Sequence, residues 1–130
     1  MDLVEMGGLD APSALRHWYY RSKYRLLRKH LDSLPPSARS GNLADFGCGA
    51  GVFLSMLEKD AFMTPGQMLG IDHSPLASAT CVLGRSAILP AFPVASQFDM
   101  ILAMDVLEHC ADDLLVLRDL AAHCRDGGWI

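Results

Sequence analysis

The stretch LADFGCGAGVF, residues 43–53, joins a short apolar run, one acid and three glycines at alternate positions. The run Leu43–Phe46 is typical of a buried strand. Glycine has no Cβ, so Gly47, Gly49 and Gly51 allow a sharp turn and let a ligand approach the main chain. Apolar residues then recur at helical spacing, at Val52, Phe53, Met56 and Leu57. These residues predict a strand, a glycine loop and a helix.

Further strands are predicted after this unit. Met68–Ile71 is a second short apolar run that ends in an acid, Asp72, and parallel pairing with the first strand is expected. Cys81–Leu83 is a candidate third strand, and Phe98–Met104 predicts a fourth, buried one. The alternation of strands and helices predicts an α/β protein with a Rossmann-like, doubly wound, mainly parallel sheet and flanking helices.

A basic amphipathic helix is predicted before the glycine loop. It runs from Pro12 to Leu34 and would end at Pro35 and Pro36, which cannot continue a helix. Residues 35–42 read as a linker. The predicted division is an N-terminal helix with its linker over 1–40 and a Rossmann-like domain over 41–130.

A last helix is predicted from Asp112 or Asp113 to Cys124, with Gly127 and Gly128 as its left-handed cap. The apolar face of this helix is predicted at Leu114, Leu117, Ala121 and Cys124. A fifth strand would begin at Trp129. We therefore expect a sheet that is incomplete on its C-terminal side, with an exposed edge through which two copies could form a homodimer.

Composition narrows the classes of partner. The formal net charge of −4 supplies no basic footprint for nucleic acid or an anionic membrane. The four cysteines are scattered without a C-x-x-C pair, which argues against a zinc site and a disulfide framework and favours a reducing, cytoplasmic location. No apolar run approaches the roughly 20 residues of a membrane span. A small molecule or another protein is the expected partner.

Two acids indicate the chemistry of the ligand. Asp72 lies 21 residues beyond Gly51, a distance at which dinucleotide folds carry an acid for the ribose hydroxyls, but the loop spacing G-x-G-x-G departs from their G-x-G-x-x-G. Asp45 would repel a pyrophosphate and would instead interact with an ammonium group, directly or through water. A ligand with a ribose and a cationic head is therefore expected, which suits S-adenosylmethionine. A nicotinamide dehydrogenase is the weaker alternative.

Four segments, LADFGCGAG, MLGIDHSP, FDMILAMDVLEHCADD and LRDLAAHCRDGGWI, resemble in order the motifs of class I S-adenosylmethionine-dependent methyltransferases. The resemblance is to the small-molecule type that includes the ubiquinone-biosynthesis O-methyltransferases, and it covers about residues 43–130. HWYYRSKYRLL also resembles the N-terminal helix of some such enzymes. The resemblance implies S-adenosylmethionine as cofactor, S-adenosylhomocysteine as product and a small-molecule acceptor. The family has about seven strands, of which this chain would supply four and the start of a fifth.

The resemblance also implies site residues. The loop under the methionine part of the cofactor would contain Gly47, Cys48, Gly49 and Gly51, with Asp45 near the amino group. Asp72 would accept hydrogen bonds from the ribose, His73 would lie beside the adenine, and Met104 and Asp105 would line the methyl-donor end. Arg85 stands where the family often has an acid near the adenine amine, which leaves Ser86 or backbone groups for that contact.

Other positions keep two interpretations. His109 is the candidate base for an acceptor hydroxyl, or a packed or solvated histidine in the first turn of a helix. Residues 17–20 either cover the cofactor, with Arg21 or Arg25 on its carboxylate, or belong to a helix that packs on the sheet. A second hypothesis for the whole chain is a truncated or degenerate methyltransferase-like module for binding or dimerisation, without activity.

Overall fold

The computed structural model describes residues 11–63, 66–74 and 86–130. They form a five-stranded, parallel sheet with helices on both faces, which confirms the predicted fold class. The strands are β1 Leu43–Phe46, β2 Met68–Ile71, β3 Ala87–Leu89, β4 Phe98–Leu102 and β5 Cys124–Trp129. The helices are α1 Ala11–Arg16, α2 Trp18–Asp32, α3 Val52–Lys59 and α4 Asp113–His123, with 3₁₀ turns at Pro36–Arg39 and Leu107–His109.

The strand order is β3-β2-β1-β4-β5, so β1 lies in the centre with β2 and β4 on either side. The register places Asp45 of β1 level with Gly70 of β2 and Leu102 of β4. Chain connections leave β1 and β4 in opposite directions along the sheet. The place where the connections diverge is the topological switch point of the sheet. In open α/β sheets ligands bind there, outside the carboxyl ends of the strands, and in this protein that place lies beside Asp45.

The core lies on both faces of the sheet. Leu43 packs in the cluster that includes Leu27 and Leu31 of α2, whereas its neighbour Ala44 packs on the opposite face with Leu120 of α4. This alternation is the two-residue period of a strand that is buried on both sides. Helix α2 and the sheet share a core. The division that we propose between residues 1–40 and 41–130 therefore separates two parts of the sequence, and these parts pack together.

The basic helix predicted from Pro12 is interrupted. At His17 the backbone is extended, with φ −63° and ψ 135°, and the imidazole Nδ1 accepts a 3.4 Å hydrogen bond from the Tyr19 N–H. His17 therefore caps α2, and α1 ends one residue before it. None of the helices in the described part of the chain is long and apolar enough to cross a bilayer.

The predicted apolar face of α4 was wrong. Leu120 is completely buried with Val116 beside it, whereas Leu114 and Leu117 are 54% and 39% exposed and Ala121 is exposed as well. Apolar residues surround the start of this helix, so spacing alone does not select a face. The predicted cap at Asp112 is confirmed, since its carboxylate accepts a 2.9 Å hydrogen bond from the Leu115 N–H.

The predicted end of this helix near Cys124 is confirmed, since α4 ends at His123, but the predicted glycine cap and the predicted start of the fifth strand at Trp129 were wrong. The backbone becomes extended at Cys124, and Gly127 and Gly128 lie within β5 rather than in a helix cap. The register between β4 and β5 shifts along these residues, and Gly127 has a φ of +77°. A glycine with positive φ suits a strand irregularity as well as a helix end, and pairing with β4 decides between them here.

Residues 81–83, the predicted third strand, and Arg85 lie outside the described residues. The strand that pairs with β2 is β3, four residues further along the chain than the end of that prediction. Ser86 directly precedes β3 and is described below.

Candidate functional site

A cavity of about 620 Å³ opens at the carboxyl ends of β1, β2 and β4. This volume lies within the range of about 300–1,000 Å³ that is typical of small-ligand sites. Its walls come from the glycine loop, the residues after β2, β3 and β4, and the start of α2. The lining includes eight predicted site residues: Asp45, Gly47, Cys48, Gly49, Asp72, His73, Met104 and Asp105, together with His109.

The glycine loop owes its shape to three left-handed residues. Gly47, Gly49 and Gly51 have φ values of +70°, +53° and +74°, which residues with a side chain rarely adopt. The Gly47 N–H donates to the Ile71 carbonyl at 2.7 Å, so the loop is fastened to the end of β2. Gly51 is the N-cap of α3 and is not part of the cavity lining.

Replacement of Gly47 by alanine is expected to lower the free energy of unfolding by about 2 kcal/mol, because a left-handed alanine is strained and its Cβ would overlap with Val106 Cγ2. Gly127→Ala is the matched control, since Gly127 also has a positive φ but nothing lies within 4 Å of an added Cβ. Urea unfolding of both variants measures the difference. An equal loss in the two would contradict a steric role for Val106.

Cys48 fills the loop from inside. Its thiol is buried, and a Cβ added to Gly70 of β2 would lie 2.6 Å from its Sγ. The absence of a side chain at Gly70 therefore makes room for Cys48. This packing agrees with a structural role for the cysteine.

Asp72 connects the end of β2 to the glycine loop. Its Oδ2 accepts a 2.8 Å hydrogen bond from the Gly49 N–H, and its Oδ1 accepts one of 2.8 Å from the Ser74 N–H. Each carboxylate oxygen has a second lone pair, so Asp72 keeps acceptor capacity toward the cavity. The carboxylate therefore orders the loop as well as facing the site.

Asp45 is the unusual group of the site. Its side chain is only 1% exposed, and Oδ2 has no hydrogen-bond partner among the described residues. Burial, with a smaller contribution from the nearby negative charge of Asp72, raises the pKa of Asp45 to about 7. A buried carboxylate without a partner is costly, and a cation in the cavity would remove much of that cost.

Asp105, which lines the cavity from the loop after β4, is held by α2. The Tyr19 hydroxyl donates to its Oδ2 at 2.8 Å, and the Lys23 ammonium forms an ion pair with its Oδ1. Burial would raise the pKa of Asp105, but the hydrogen bonds from Lys23 and Tyr19 outweigh it and hold that pKa below its ordinary value. Asp105 is therefore an ionised group whose two oxygens already have partners.

The remaining predicted residues lie in different surroundings. His73 and His109 are exposed at the rim of the cavity. Ser86 is not in the lining: its N–H donates to Glu58 Oε1 at 2.7 Å, and its hydroxyl contacts the same oxygen. Arg21 and Arg25 are exposed and do not line this cavity either. Among the described residues, no group of histidine, cysteine, aspartate and glutamate side chains is arranged to hold a metal ion.

Aromatic side chains complete the walls, and two of them, Phe46 and Phe92, had no predicted role in the site. Phe46 and Phe92 stack at a centroid distance of 6.0 Å with an interplanar angle of 5°, and Phe92 also stacks on His123 at 4.3 Å. Tyr19 and Tyr20 line the cavity from α2. Phe92 follows Pro90 after β3, and that position at the carboxyl end of a strand was the available signal.

The parallel sheet with its glycine loop after the central strand defines a Rossmann-like nucleotide-binding type of fold. Residues 15–130 match the family described as "Methyltransferase domain". The chain belongs to this methyltransferase family.

The relatives differ in their acceptors. The chain is 30% identical, over 92% of its length, to ribosomal RNA small subunit methyltransferase C of Ectopseudomonas mendocina, of which it covers 39%. It is 28% identical, over 98% of its length, to the ubiquinone biosynthesis O-methyltransferase of Bordetella avium, of which it covers 60%. The chain thus spans less than two thirds of the length of either relative.

A solved structure shares the fold. The S-adenosylmethionine-bound CalS10, an amino pentose methyltransferase from Micromonospora echinaspora, superposes with a TM-score of 0.60 at 20% identity. The match covers 88% of this chain and 50% of CalS10.

Proposed function

We propose that the cavity binds S-adenosylmethionine and that the protein transfers the methyl group of this cofactor to an acceptor. The observation that carries the proposal is the buried Asp45 Oδ2, which lacks a hydrogen-bond partner among the described residues beside a loop of three left-handed glycines. An α-ammonium group would satisfy this oxygen, whereas a pyrophosphate would be repelled by it. The buried Asp45 carboxylate therefore fits a cationic nucleoside better than a dinucleotide.

The other residues of the cavity have roles that follow from their chemistry. We propose that Asp72 accepts hydrogen bonds from the ribose hydroxyls with its remaining lone pairs, and that His73 lies beside the adenine. Gly47 and Gly49 leave the loop backbone accessible to the methionine part. Membership of the family, and the relatives that are named as methyltransferases, support this assignment.

Methyl transfer supplies the chemistry, since the cofactor carries an electrophilic methyl group on a sulfonium. The task of the chain is then to orient the acceptor in line and to exclude water. We propose a small-molecule acceptor that reacts through a hydroxyl and lies beside Tyr19 and Asp105, which both line the cavity. His109, exposed at the rim, would take the hydroxyl proton. A cytoplasmic location is part of the same proposal.

Asp72→Asn tests the site. We expect the affinity for S-adenosylhomocysteine to fall about 10- to 100-fold, because the ribose loses an anionic acceptor. In addition, one of the two N–H groups that donate to Asp72, those of Gly49 and Ser74, loses its acceptor oxygen. Isothermal titration calorimetry measures the change, and Asp126→Asn on exposed β5 is the matched control. If the unchanged protein binds neither S-adenosylmethionine nor S-adenosylhomocysteine, the proposed function is wrong. Binding of NAD in their place would favour a dehydrogenase.

A second candidate is a methyltransferase-like module that binds or dimerises without turnover. It is favoured by exposed apolar side chains on the edge strand β5 and on α4: Trp129 is 40%, Leu114 54% and Leu115 63% exposed. Light scattering during gel filtration, together with a methyl-transfer assay, separates the candidates. A dimer that binds S-adenosylhomocysteine and methylates no acceptor would support the module.

A further inference from the structure

Helix α2 is fastened to the loop after β4 by two side chains. Tyr19 and Lys23 lie one helical turn apart, and together they bind both carboxylate oxygens of Asp105. The contact joins residues that are more than 80 positions apart in the chain. A contact of this kind fixes where the start of α2 lies relative to the donor end of the cavity.

The backbone of Asp105 has an uncommon conformation at this contact. Its φ is +54°, in the left-handed region, where a residue with a side chain costs about 1 kcal/mol or more. Such a conformation persists only where its surroundings hold it. The ion pair with Lys23, whose pKa is raised chiefly by its hydrogen bond to Asp105, is one such restraint, and the hydrogen bond from the Tyr19 hydroxyl is another.

The two halves of α2 are anchored differently. Leu27 and Leu31 are buried in the main core, so the second half of the helix is held by apolar packing. In the first half Tyr20 is buried against Phe53 and Tyr19 packs beside the same apolar cluster, while the Tyr19 hydroxyl and the Lys23 ammonium bind Asp105. Tyr19 and Tyr20 line the cavity and Lys23 does not. The Lys23 ammonium therefore acts on the cavity through Asp105.

We propose that Lys23 is a positioning residue: through Asp105 it fastens the first half of α2 across the donor end of the cavity, and release of this contact limits ligand entry and exit. The proposal rests on the proposed function, since it concerns the cavity assigned there to the cofactor. It predicts a specific kinetic pattern. If α2 has to detach for passage in either direction, weakening the contact accelerates association and dissociation together and leaves Kd nearly unchanged.

Lys23→Met keeps the apolar stem and removes the charge. Stopped-flow measurements with S-adenosylhomocysteine are expected to show both rate constants rising about five- to tenfold, the effect of losing a charge-assisted hydrogen bond at a partly exposed site. Lys29→Met, an exposed position on the same helix, and Lys23→Arg, which keeps the charge, should leave both rates near those of the unchanged protein. Asp105→Asn should raise both rates less in Lys23→Met than in the unchanged protein, because the contact with Lys23 is already lost there and only the hydrogen bond from Tyr19 remains to be weakened.

Hydrogen exchange of the ligand-free protein tests the contact without any cofactor. Amides of residues 20–24 are expected to exchange about fivefold faster in Lys23→Met and at an unchanged rate in Lys29→Met. Unchanged exchange, or a rise in the dissociation rate alone, would overturn the role of Lys23. If the unchanged protein fails to bind S-adenosylhomocysteine while exchange responds as expected, the proposed function fails and the fastening of α2 stands.

Discussion

Affinity for S-adenosylhomocysteine is expected to rise about tenfold per pH unit between about pH 5.5 and 7 and to level off above pH 7. Asp45 has a pKa of about 7 in the ligand-free protein, so below that pH its carboxyl group is mostly protonated. A neutral carboxyl group does not attract an ammonium group as a carboxylate does. The bound ammonium favours the ionised carboxylate and lowers this pKa. Binding below pH 7 therefore releases a proton, and that release opposes binding more strongly as the pH falls.

Calorimetry at pH 6.5 in two buffers of different ionisation enthalpy counts the protons. About three quarters of a proton should be released per ligand, the fraction of Asp45 that is protonated at that pH. Asp45→Asn is the decisive variant: its affinity at pH 8 should be about 100-fold weaker, and its affinity should lose the slope below pH 7. A pH-independent affinity of the unchanged protein would contradict a direct role of Asp45 at the ammonium.

The central strand and its loop were predictable because their signals are local. Leu43–Phe46 is apolar, an acid follows the apolar start of the run, and glycines stand where the backbone is left-handed. The meeting of Asp45 and Asp72 was predictable for a topological reason, since parallel strands end at the same edge of a sheet. Neither inference required knowledge of tertiary contacts.

Errors arose where several patterns were equally good locally. The start of α4 is apolar on every side, and only its position over the sheet decides that Leu120 is buried and Leu117 is not. Gly127 fits a helix cap or an irregular strand, and pairing of β5 with β4 selects the strand. In both cases tertiary contacts override a local preference.

The contact between α2 and Asp105 had no local signal. Lys23 is one of several basic residues on the helix, and nothing in its neighbourhood distinguishes it from Lys29. Only the approach of the loop after β4 does so. Ser86 shows the converse, because a motif placed it at the cofactor and the structure joins it to Glu58 instead.

Asp45→Asn is also expected to stabilise the ligand-free protein, by about 2 kcal/mol at pH 8. The carboxyl pKa rises from 3.8 in the unfolded chain to about 7 in the folded one, so an ionised Asp45 costs about 4 kcal/mol of folding free energy above pH 7. Asparagine removes the charge, and the cost of burying its amide offsets part of that gain.

The sign of the pH dependence follows from the same pKa. Between about pH 4 and 7 the folded protein binds more protons at Asp45 than the unfolded chain does, so the contribution of Asp45 to the free energy of unfolding falls as the pH rises and levels off above pH 7. Urea unfolding at pH 5 and 8 should therefore show the variant gaining stability mainly at pH 8, with Asp126→Asn as the control at each pH. An equal gain at both pH values would mean that packing, and not the buried charge, carries the effect. A loss of stability at pH 8 would contradict the folding cost assigned to the ionised Asp45. A bound ammonium group would offset that cost.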